Sequence, residues 1–382
     1  MKAVLQVEPI TSWKQYKKRP LVISGPCSAE TEIQVLQTAR ELAASGKVDI
    51  FRAGIWKPRT RPGTFEGMGS IALPWLKRVK EETGMGIATE VANAKHVYEA
   101  LKYGVDHIWI GARSTANPFV VQEISDALEG SDVTVLVKNP INPELELWFG
   151  AIERLKKAGI TRIGAIHRGF SSYEKTAFRN TPHWLIPVEL KQRIENLPLI
   201  CDPSHICGNR HMLLEVSQKA MDLNFDGLML ESHTDPSVAL SDAAQQVTPR
   251  MLTCILDRLV MRSPESNDTN FLNVLEELRG KIDIYDEQLI EILERRMNVA
   301  KNIALYKKEN NITILQSRRW AEVVRKNLAL GEKKGLSNSF VNDMLRLIHQ
   351  ESINQQNQVM NEGSTSSKGL EEKAESEINS TG

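Results

Sequence analysis

The 382-residue sequence lacks an excess of charge of either sign, because its 48 lysines and arginines balance its 48 aspartates and glutamates. A chain that binds nucleic acid or a membrane surface through its overall field needs a net basic charge, so this composition argues against both partners. The sequence also has no run of about 18 apolar residues and no apolar N-terminal signal. We therefore expect a cytoplasmic protein that binds neither nucleic acid nor membranes.

Cysteine is scarce, and its positions show no pairing pattern. Cys27, Cys201, Cys207 and Cys254 lack the short paired spacings of a zinc finger, a redox motif or a disulfide framework. Reduced thiols are therefore expected, which fits the same compartment. A G-x-G-x-x-G motif is also missing after the first apolar run. Its absence weighs against a doubly wound dinucleotide-binding sheet, which stays the alternative to the fold predicted next.

Eight short apolar runs recur along the first part of the chain, each followed by a helical pattern. Continuous runs of leucine and β-branched residues that alternate with helices are typical of a parallel sheet buried on both faces. Eight such units over about 260 residues predict an α/β fold, a closed (β/α)₈ TIM barrel. The runs lie at 21–25, 48–54, 86–91, 106–111, 133–138, 162–167, 197–202 and 227–232.

The predicted strands end in side chains suited to chemistry, and in such a barrel the site lies at the C-terminal ends of the strands. The stretch RAGIWKPRT at 52–60 is one example, since its cations directly follow a buried strand and require an anion to offset their burial. A merely solvated rim would not combine so many cations with residues that bind metals. In chain order, these residues are Cys27, Arg52, Lys57, Glu90, Arg113, Lys138, Arg168, Asp202, His205 and Glu231.

Six motifs in order give the barrel a family resemblance. They are SGPCS (24–28), KPRT (57–60), IGAR (110–113), HRG (167–169), DPSH (202–205) and LMLESHTDPSVALSDAAQQ (228–246). Residues 17–260 thereby resemble 3-deoxy-D-arabino-heptulosonate 7-phosphate (DAHP) synthase, which condenses phosphoenolpyruvate with erythrose 4-phosphate. A sibling family, 3-deoxy-D-manno-octulosonate 8-phosphate synthase, acts on a five-carbon sugar and is the alternative; the KPRT loop favours the four-carbon aldehyde.

The resemblance implies two sets of site residues in the barrel. Substrate-binding cations, which suit phosphate and carboxylate groups, would be Arg52, Lys57, Arg113, Lys138 and Arg168. Within the KPRT loop, Lys57, Arg59 and Thr60 would be catalytic, the last two near the sugar phosphate. A divalent ion such as manganese, iron, cobalt or zinc would be held by Cys27, His205, Glu231 and Asp242, and would polarise the aldehyde.

The pattern of polar and apolar residues changes after residue 262. Positions 263–270 form a polar linker, and from Phe271 apolar residues recur three and four apart, which predicts a long helix. At 1.5 Å per residue, 271–307 would span roughly 55 Å, too long for a small domain to cover alone. We therefore expect a small all-α domain that forms a homodimer or higher homo-oligomer through this helix.

Four motifs give this segment a family resemblance: LEELRGKID (275–283), LERRMNVAKNIALYK (293–307), LQSRRW (315–320) and LIHQESINQQ (347–356). Residues 271 to about 356 thereby resemble the all-helical chorismate mutases. The resemblance implies that Arg279, Arg296 and Arg319 hold the carboxylates of chorismate, with Arg279 reaching into the partner's site. Lys307 and Gln356 would face the ether oxygen as catalytic groups, and Ser352 would bind substrate. Gln316 and Trp320 stand where well-known members have acidic hydroxyl-binding residues, so the alternative is a catalytically weak domain that senses a metabolite and dimerises.

These expectations divide the chain into a barrel at 1–262, a linker at 263–270, a mutase-like domain at 271–358 and a disordered tail at 359–382. The barrel begins within about 20 residues of Met1, which leaves no room for a separate regulatory domain before it. Feedback is therefore expected to act through the helical domain, with prephenate or chorismate as the inhibitor.

Overall fold

Ten strands lie in the part of the chain that the computed structural model describes, which comprises residues 5–57, 63–173, 176–263, 265–315 and 317–361. Eight of them close into a parallel barrel in the order β10-β2-β3-β4-β5-β6-β7-β9, and β1 pairs with β8 in a separate parallel ribbon. The strands are β1 (Leu5–Gln6), β2 (Leu21–Gly25), β3 (Ile50–Arg52), β4 (Gly86–Val91), β5 (His107–Ile110), β6 (Thr134–Lys138), β7 (Ile163–His167), β8 (Ile194–Glu195), β9 (Leu199–Cys201) and β10 (Gly227–Glu231). The predicted barrel is confirmed, and each barrel strand falls within one of the eight apolar runs.

Helices follow the strands and cover the outside of the barrel. Capping side chains set the starts of several of them: Thr31 accepts a hydrogen bond from the backbone N–H of Gln34, and Thr248 accepts one from that of Met251. The barrel helices are α1 (Glu32–Ala44), α2 (Leu73–Thr83), α3 (Ala94–Lys102), α4 (Ala112–Thr115), α5 (Pro118–Leu128), α6 (Leu145–Lys157), α7 (Leu185–Arg193), α8 (Pro203–Cys207), α9 (Leu213–Asp222) and α10 (Pro249–Asp257).

Alternation along the strands divides the core into two layers. Val22 and Phe51 face outward and pack in the larger cluster with the helices, whereas their neighbours Ile23 and Ile50 pack inside the barrel. Successive strand side chains point to opposite faces, so a short apolar run supplies both layers at once. This two-sided burial is why the barrel strands read as continuous rather than alternating apolar runs.

Trp13 fills the inside of the barrel from the segment that precedes the first barrel strand. Its ring is 2% exposed and belongs to the interior cluster. A Cβ added at Gly164 of β7 would lie 2.8 Å from the ring, so the glycine provides the space that the indole occupies. The N-terminal segment is therefore part of the barrel core.

The end of β2 requires a glycine because β3 passes very close to it. Gly25 has a φ of 153°, and a Cβ there would meet the backbone oxygen of Arg52 at 2.1 Å. Glycine alone tolerates both the backbone conformation and the approach. The result is that the chain leaving β2 carries Cys27 directly alongside Arg52.

The chain divides near residue 264, and the second unit consists of helices. Asp268 caps the first of them by accepting hydrogen bonds from the N–H groups of Asn270 and Phe271. The helices are α11 (Thr269–Glu309), α12 (Ser317–Lys333) and α13 (Asn338–Asn361). The predicted all-α domain is confirmed. Residues 362–382, which include most of the predicted tail, lie outside the described residues.

The 41-residue α11 leaves most of its large apolar side chains exposed. Leu278, Ile282, Leu289 and Ile292 are each about half exposed, and only Ala300 and Ala304 of this helix are buried. An exposed apolar stripe of this length is typical of an interaction surface. None of the helices in the described ranges has a stretch long and apolar enough to span a bilayer.

The interior position of Trp13 gives a test of the fold. Trp13→Ala should lower the free energy of unfolding by about 3–5 kcal/mol, because it removes a large buried ring that the barrel cannot refill. Tyr98→Ala, at a side chain that is 60% exposed, is the control and should stay within about 0.5 kcal/mol of the parent protein. Urea unfolding followed by far-UV circular dichroism measures both. Equal stability of the two variants would contradict the placement of Trp13 in the core.

Candidate active site

A cavity of about 630 Å³ opens at the C-terminal ends of the barrel strands. Its walls come from many different strand ends, which is the arrangement expected for a barrel enzyme. The lining residues are Lys57, Thr64, Glu90, Ala112, Arg113, Lys138, Ile141, Arg168, Arg179, Asn180, His205, Leu240, Ser241 and Asp242.

Arg52 lies beneath the cavity as a buried cation. Its Nη1 donates to Oε1 of Glu231 at 3.1 Å, and its Nη2 donates to the backbone oxygen of Cys27 at 3.0 Å. Both side chains of the ion pair are at most 1% exposed. Lys57 joins the group, because its Nζ donates to the backbone oxygen of Cys27 at 3.0 Å and contacts the sulfur at 3.1 Å.

Trp109 of β5 packs against two of the cations from inside the barrel. The guanidinium carbon of Arg52 lies 4.8 Å from the ring centroid, and Nζ of Lys138 lies 5.8 Å from it. The indole N–H donates to Oε2 of Glu90 at 2.8 Å. The electron-rich face of an indole stabilises nearby cations, so Trp109 supports the cationic floor of the cavity.

Asp202 links a cation that lines the cavity to a histidine. Its Oδ2 accepts from Nζ of Lys138 at 2.9 Å and lies 2.8 Å from Nδ1 of His205, while its Oδ1 caps α8 by accepting from the N–H of His205. Burial alone would raise the pKa of Asp202, but His205 and Lys138 together hold it well below its usual range. The carboxylate therefore stays ionised and leaves Nε2 of His205 directed to other partners.

A set of residues suited to a metal ion lies beside these cations. The ligand atoms of Cys27, Glu231 and Asp242 all lie within 4.8 Å of one another. Nε2 of His205 lies 3.8 Å from Oε1 of Glu231. Thiolate, imidazole and carboxylate donors of this kind fit a divalent first-row ion.

The electrostatics of Cys27 also fit an ion. Burial, followed by the charge of Glu231, raises the pKa of the Cys27 thiol to about 12. A divalent cation beside the sulfur would supply the positive charge that a buried thiolate needs. By contrast, Asp242 keeps its negative charge, since His205 and Arg179 outweigh the effect of burial and lower its pKa. The distances and chemistry of Cys27, Glu231 and Asp242 therefore fit a divalent ion, with His205 next to Glu231.

Arg168 and Arg113 line the same cavity. Nη1 of Arg168 donates to Oδ1 of Asn180 at 2.7 Å, and burial lowers the pKa of the guanidinium to about 10, so it remains charged at neutral pH. The two other barrel residues named from the sequence, Arg59 and Thr60, lie outside the described residues.

Arg179 lines the cavity and was not predicted from the sequence. Nη1 of Arg179 donates to Oδ1 of Asp242 at 3.0 Å and to Oε1 of Gln245 at 2.9 Å. Paired backbone hydrogen bonds between Phe170 and Thr181 fold its segment back over the barrel. The residue lies far from any strand end in sequence, so the strand-end rule carried no signal for it.

The helical unit brings together four of the six residues predicted there. Nη1 of Arg296 donates to the hydroxyl of Ser352, and Nζ of Lys307 lies 3.4 Å from Oε1 of Gln356. Ser352 and Gln356 are buried on α13, one turn apart, and burial lowers the pKa values of Arg296 and Lys307. These four residues, the α11–α13 cluster, place two cations and two neutral polar groups on facing helices.

Arg279 and Arg319 do not join this cluster within one chain. Arg279 is 61% exposed and pairs with Glu276, and Arg319 is 71% exposed and pairs with Glu322. Among the described residues, neither forms a hydrogen bond or ion pair with the cluster. The assignment of Arg279 to a partner's site therefore stays a prediction. Trp320 stacks on His349 with ring centroids 4.0 Å apart, and Gln316 lies outside the described residues.

Two family models match successive parts of the chain. The model described as the DAHP synthetase I family matches residues 12–262, and the model described as chorismate mutase type II matches residues 278–357. The first match covers more than half of the sequence, and both agree with the boundaries of the barrel and helices seen in the fold.

Individual proteins also resemble the barrel. The chain is 31% identical over 226 residues to a phospho-2-dehydro-3-deoxyheptonate aldolase from Thermotoga maritima. The matched segment covers 59% of this chain and 64% of that relative, so the chain spans less than two thirds of the relative's length. It is 26% identical over 264 residues to a 2-dehydro-3-deoxyphosphooctonate aldolase from Nitratidesulfovibrio vulgaris, covering 63% of this chain and 91% of the relative.

The solved structures give the same picture. A crystal structure of the Thermotoga maritima DAHP synthase matches with a TM-score of 0.57 and 28% identity, covering 62% of this chain and 67% of that one. With its barrel, the cation-lined cavity and the match over residues 12–262, the chain belongs to the DAHP synthetase I family and carries a chorismate mutase type II domain after the barrel.

Proposed function

We propose that the chain is a bifunctional enzyme of the shikimate pathway. The barrel condenses phosphoenolpyruvate with erythrose 4-phosphate to give DAHP and phosphate, and the helical unit rearranges chorismate to prephenate. The observation that carries the first activity is a single cavity in which Lys57, Arg113, Lys138 and Arg168 face the same space beside a thiol, imidazole and carboxylate set. Two phosphorylated substrates, one of which is also a carboxylate, need such a concentration of fixed cations.

The barrel residues divide the work by their contacts. Asp202 and Trp109 hold Lys138 in place, and Asn180 holds Arg168. Lys138 and Arg168 therefore each present a fixed positive charge for phosphoenolpyruvate. Fixing the two substrates in one orientation supplies much of the rate acceleration for a bimolecular condensation. Lys57 contacts the sulfur of Cys27 and lines the cavity, which places an ammonium proton at the reacting end. Arg59 and Thr60 are assigned to the sugar phosphate.

Cys27, His205, Glu231 and Asp242 are the residues that would hold a divalent ion such as manganese, iron, cobalt or zinc. When bound, the ion supplies Lewis-acid polarisation of the aldehyde oxygen of erythrose 4-phosphate. Asp202 contributes by orienting the His205 ring through Nδ1, which leaves Nε2 for the ion. A thiol ligand has to remain reduced, so we place the enzyme in the cytoplasm.

The relatives that act on phosphooctonate make a five-carbon sugar phosphate the competing substrate. The KPRT sequence at 57–60 and the match to the DAHP synthetase I family favour erythrose 4-phosphate. Phosphate release with erythrose 4-phosphate and with arabinose 5-phosphate, measured side by side, separates the two assignments.

The mutase proposal is carried by the α11–α13 cluster. A pericyclic rearrangement needs no nucleophile or base, but it needs a site that holds the compact dicarboxylate and donors directed at the ether oxygen. Arg296 supplies a partly buried cation beside Ser352, and Lys307 and Gln356 lie 3.4 Å apart as the pair that faces the ether oxygen. Arg319 and the partner's Arg279 are assigned to the carboxylates.

The same geometry supports a homodimer. The apolar stripe of α11 is exposed in one chain, and within the described residues Arg279 pairs with the neighbouring Glu276. A second copy of α11 would cover the stripe and bring Arg279 to the opposite cluster. A homodimer or higher homo-oligomer through this helix therefore completes two mutase sites.

Feedback is assigned to the mutase site. Prephenate or chorismate held by Arg296 would inhibit the barrel, provided that the ligand binds one arrangement of the enzyme more tightly than another. This assignment makes one pocket serve both as an active site and as the sensor of pathway flux.

The metal ligands give the first functional test. Cys27→Ala and His205→Ala should each abolish DAHP formation, because loss of one of four donors weakens the ion and misplaces the aldehyde. Cys254→Ala, at the exposed cysteine, is the matched control and should keep full activity. Consumption of phosphoenolpyruvate measures all three, and full activity of either ligand variant would contradict the ligand set.

Adjacent arginines on α11 give a matched pair for the mutase. Arg296→Ala should lower the mutase kcat by roughly 10²–10³-fold, the loss expected for a donor that stabilises developing charge, while DAHP formation continues. Arg295→Ala, at an exposed side chain paired with Glu291, should leave both activities intact. Equal mutase rates for the two variants would contradict the assignment of Arg296.

The same pair tests feedback. Prephenate should inhibit DAHP formation by the parent enzyme and by Arg295→Ala, and it should fail to inhibit Arg296→Ala, because the ligand has lost its main anion-binding group. The measurement is the initial rate of phosphate release against prephenate concentration. An intact enzyme that ignores prephenate and chorismate, or an Arg296→Ala enzyme that is inhibited normally, would contradict this route of control.

A further inference from the structure

Two carboxylates of the ion-binding set are tied together through one guanidinium. Nη1 of Arg179 donates to Oδ1 of Asp242 at 3.0 Å and to Oε1 of Gln245 at 2.9 Å. Gln245 links Arg179 to the second carboxylate, because its Nε2 donates to Oε2 of Glu231 at 2.7 Å. Arg179, which lies in the segment between β7 and α7, thereby contacts Asp242 directly and is linked to Glu231 through Gln245.

The direction of these hydrogen bonds leaves one face of each carboxylate for other partners. Arg179 takes Oδ1 of Asp242, and Oδ2 lies 3.4 Å from the sulfur of Cys27. Gln245 donates to Oε2 of Glu231, and Oε1, which accepts from Nη1 of Arg52, lies 3.8 Å from Nε2 of His205. The oxygens that face Cys27 and His205 are the ones that Arg179 and Gln245 do not occupy.

Asp242 needs such a restraint. Its backbone has a φ of 49°, in the left-handed region that a non-glycine residue adopts only at an energetic cost. Glu231 and Asp242 also repel each other at this distance when no cation lies between them. A positive charge on the far side of Asp242 offsets both effects, since it attracts the carboxylate while leaving the inner oxygen accessible.

We infer that Arg179 is a positioning residue for the ion site: it presets Asp242 directly, and Glu231 through Gln245, in the orientation that binds a divalent cation. This role rests on the proposed ion site, but it assigns to a residue outside the ligand set the task of holding two of its members. Residues that orient metal ligands contribute to affinity even though they never touch the ion.

The position of Arg179 makes the role separable from folding. Its side chain is about half exposed, in contrast to the buried pair of Arg52 and Glu231. Replacement by glutamine therefore leaves no buried charge without a partner, and the variant is expected to fold. Lysine at this position keeps an ammonium group whose protons can reach both acceptors, which makes it the conservative variant.

The test is a titration of the metal-free, full-length protein with Co²⁺, followed by the near-ultraviolet band of thiolate bound to cobalt and by the visible cobalt bands. Arg179→Gln should weaken Co²⁺ binding by roughly 10–100-fold and change the visible bands at saturation, since two ligands lose their fixed orientation. Arg179→Lys should recover most of the affinity. Arg40→Gln removes an arginine of similar exposure that pairs with Glu82 elsewhere on the barrel, and it should bind Co²⁺ as the parent does.

Thermal unfolding of the metal-free proteins provides the check on folding, with cooperative unfolding expected for both and a midpoint for Arg179→Gln no more than a few degrees below that of the parent. An Arg179→Gln protein with parental Co²⁺ affinity and visible bands would overturn the inference, as would a lysine variant no better than the glutamine one. A parent protein that gave no thiolate band would overturn the ion site itself. That result is distinguishable, because it appears before any substitution is made.

Discussion

The buried ion pair between Arg52 and Glu231 joins the ends of three neighbouring strands, and the barrel site is built around it. Arg52 ends β3 and Glu231 ends β10, while the second Arg52 nitrogen donates to the backbone of Cys27 just beyond β2, the strand that lies between them. Burying two charges costs several kcal/mol per ion unless they are paired and fully hydrogen-bonded. The structure meets most of that condition: Gln245 donates to the other oxygen of Glu231, while Nε of Arg52 has no hydrogen-bond partner among the described residues. Burial would raise the pKa of Glu231, but His205, Arg52 and Lys57 lower it, so the residue stays ionised.

Around this pair, the positive and negative groups of the site lie in successive layers. Arg52 and Trp109 form a floor, the acidic residues and the thiol lie beside it, and Lys57, Arg113, Lys138 and Arg168 face the open cavity. The cations nearest the floor have protein partners, whereas the cavity itself offers room for anions. This arrangement explains why Arg52 and Lys57 can directly follow a buried strand: Arg52 is paired within the protein, and Lys57 lines the cavity, which has room for an anion.

The barrel and much of its rim could be predicted because the signals are local. An apolar run such as 134–138 specifies a strand, and the residue that ends it, Lys138, then has to lie at the rim. Arg179 and Gln245 carried no such signal, since their roles arise from hydrogen bonds between segments 63 and 66 positions apart. The role of Trp109 carried no signal in the sequence either, because an aromatic residue inside a strand ordinarily packs in the hydrophobic core. In the helical unit, Ser352 and Gln356 continue an apolar stripe, so their burial could be predicted, whereas Arg279 and Arg319 lie on exposed surface, for which the stripe gives no signal.

The central claim is that one chain carries two chemistries, of which only the barrel's depends on a metal ion. Both activities should therefore be measured on one preparation, as phosphate release from phosphoenolpyruvate with erythrose 4-phosphate and as loss of chorismate, before and after treatment with a chelator. The account predicts that chelation stops phosphate release, that added Mn²⁺ or Co²⁺ restores it, and that chorismate loss continues throughout. Phosphate release that persists at full rate in the chelator, or a preparation that never consumes chorismate, would contradict it.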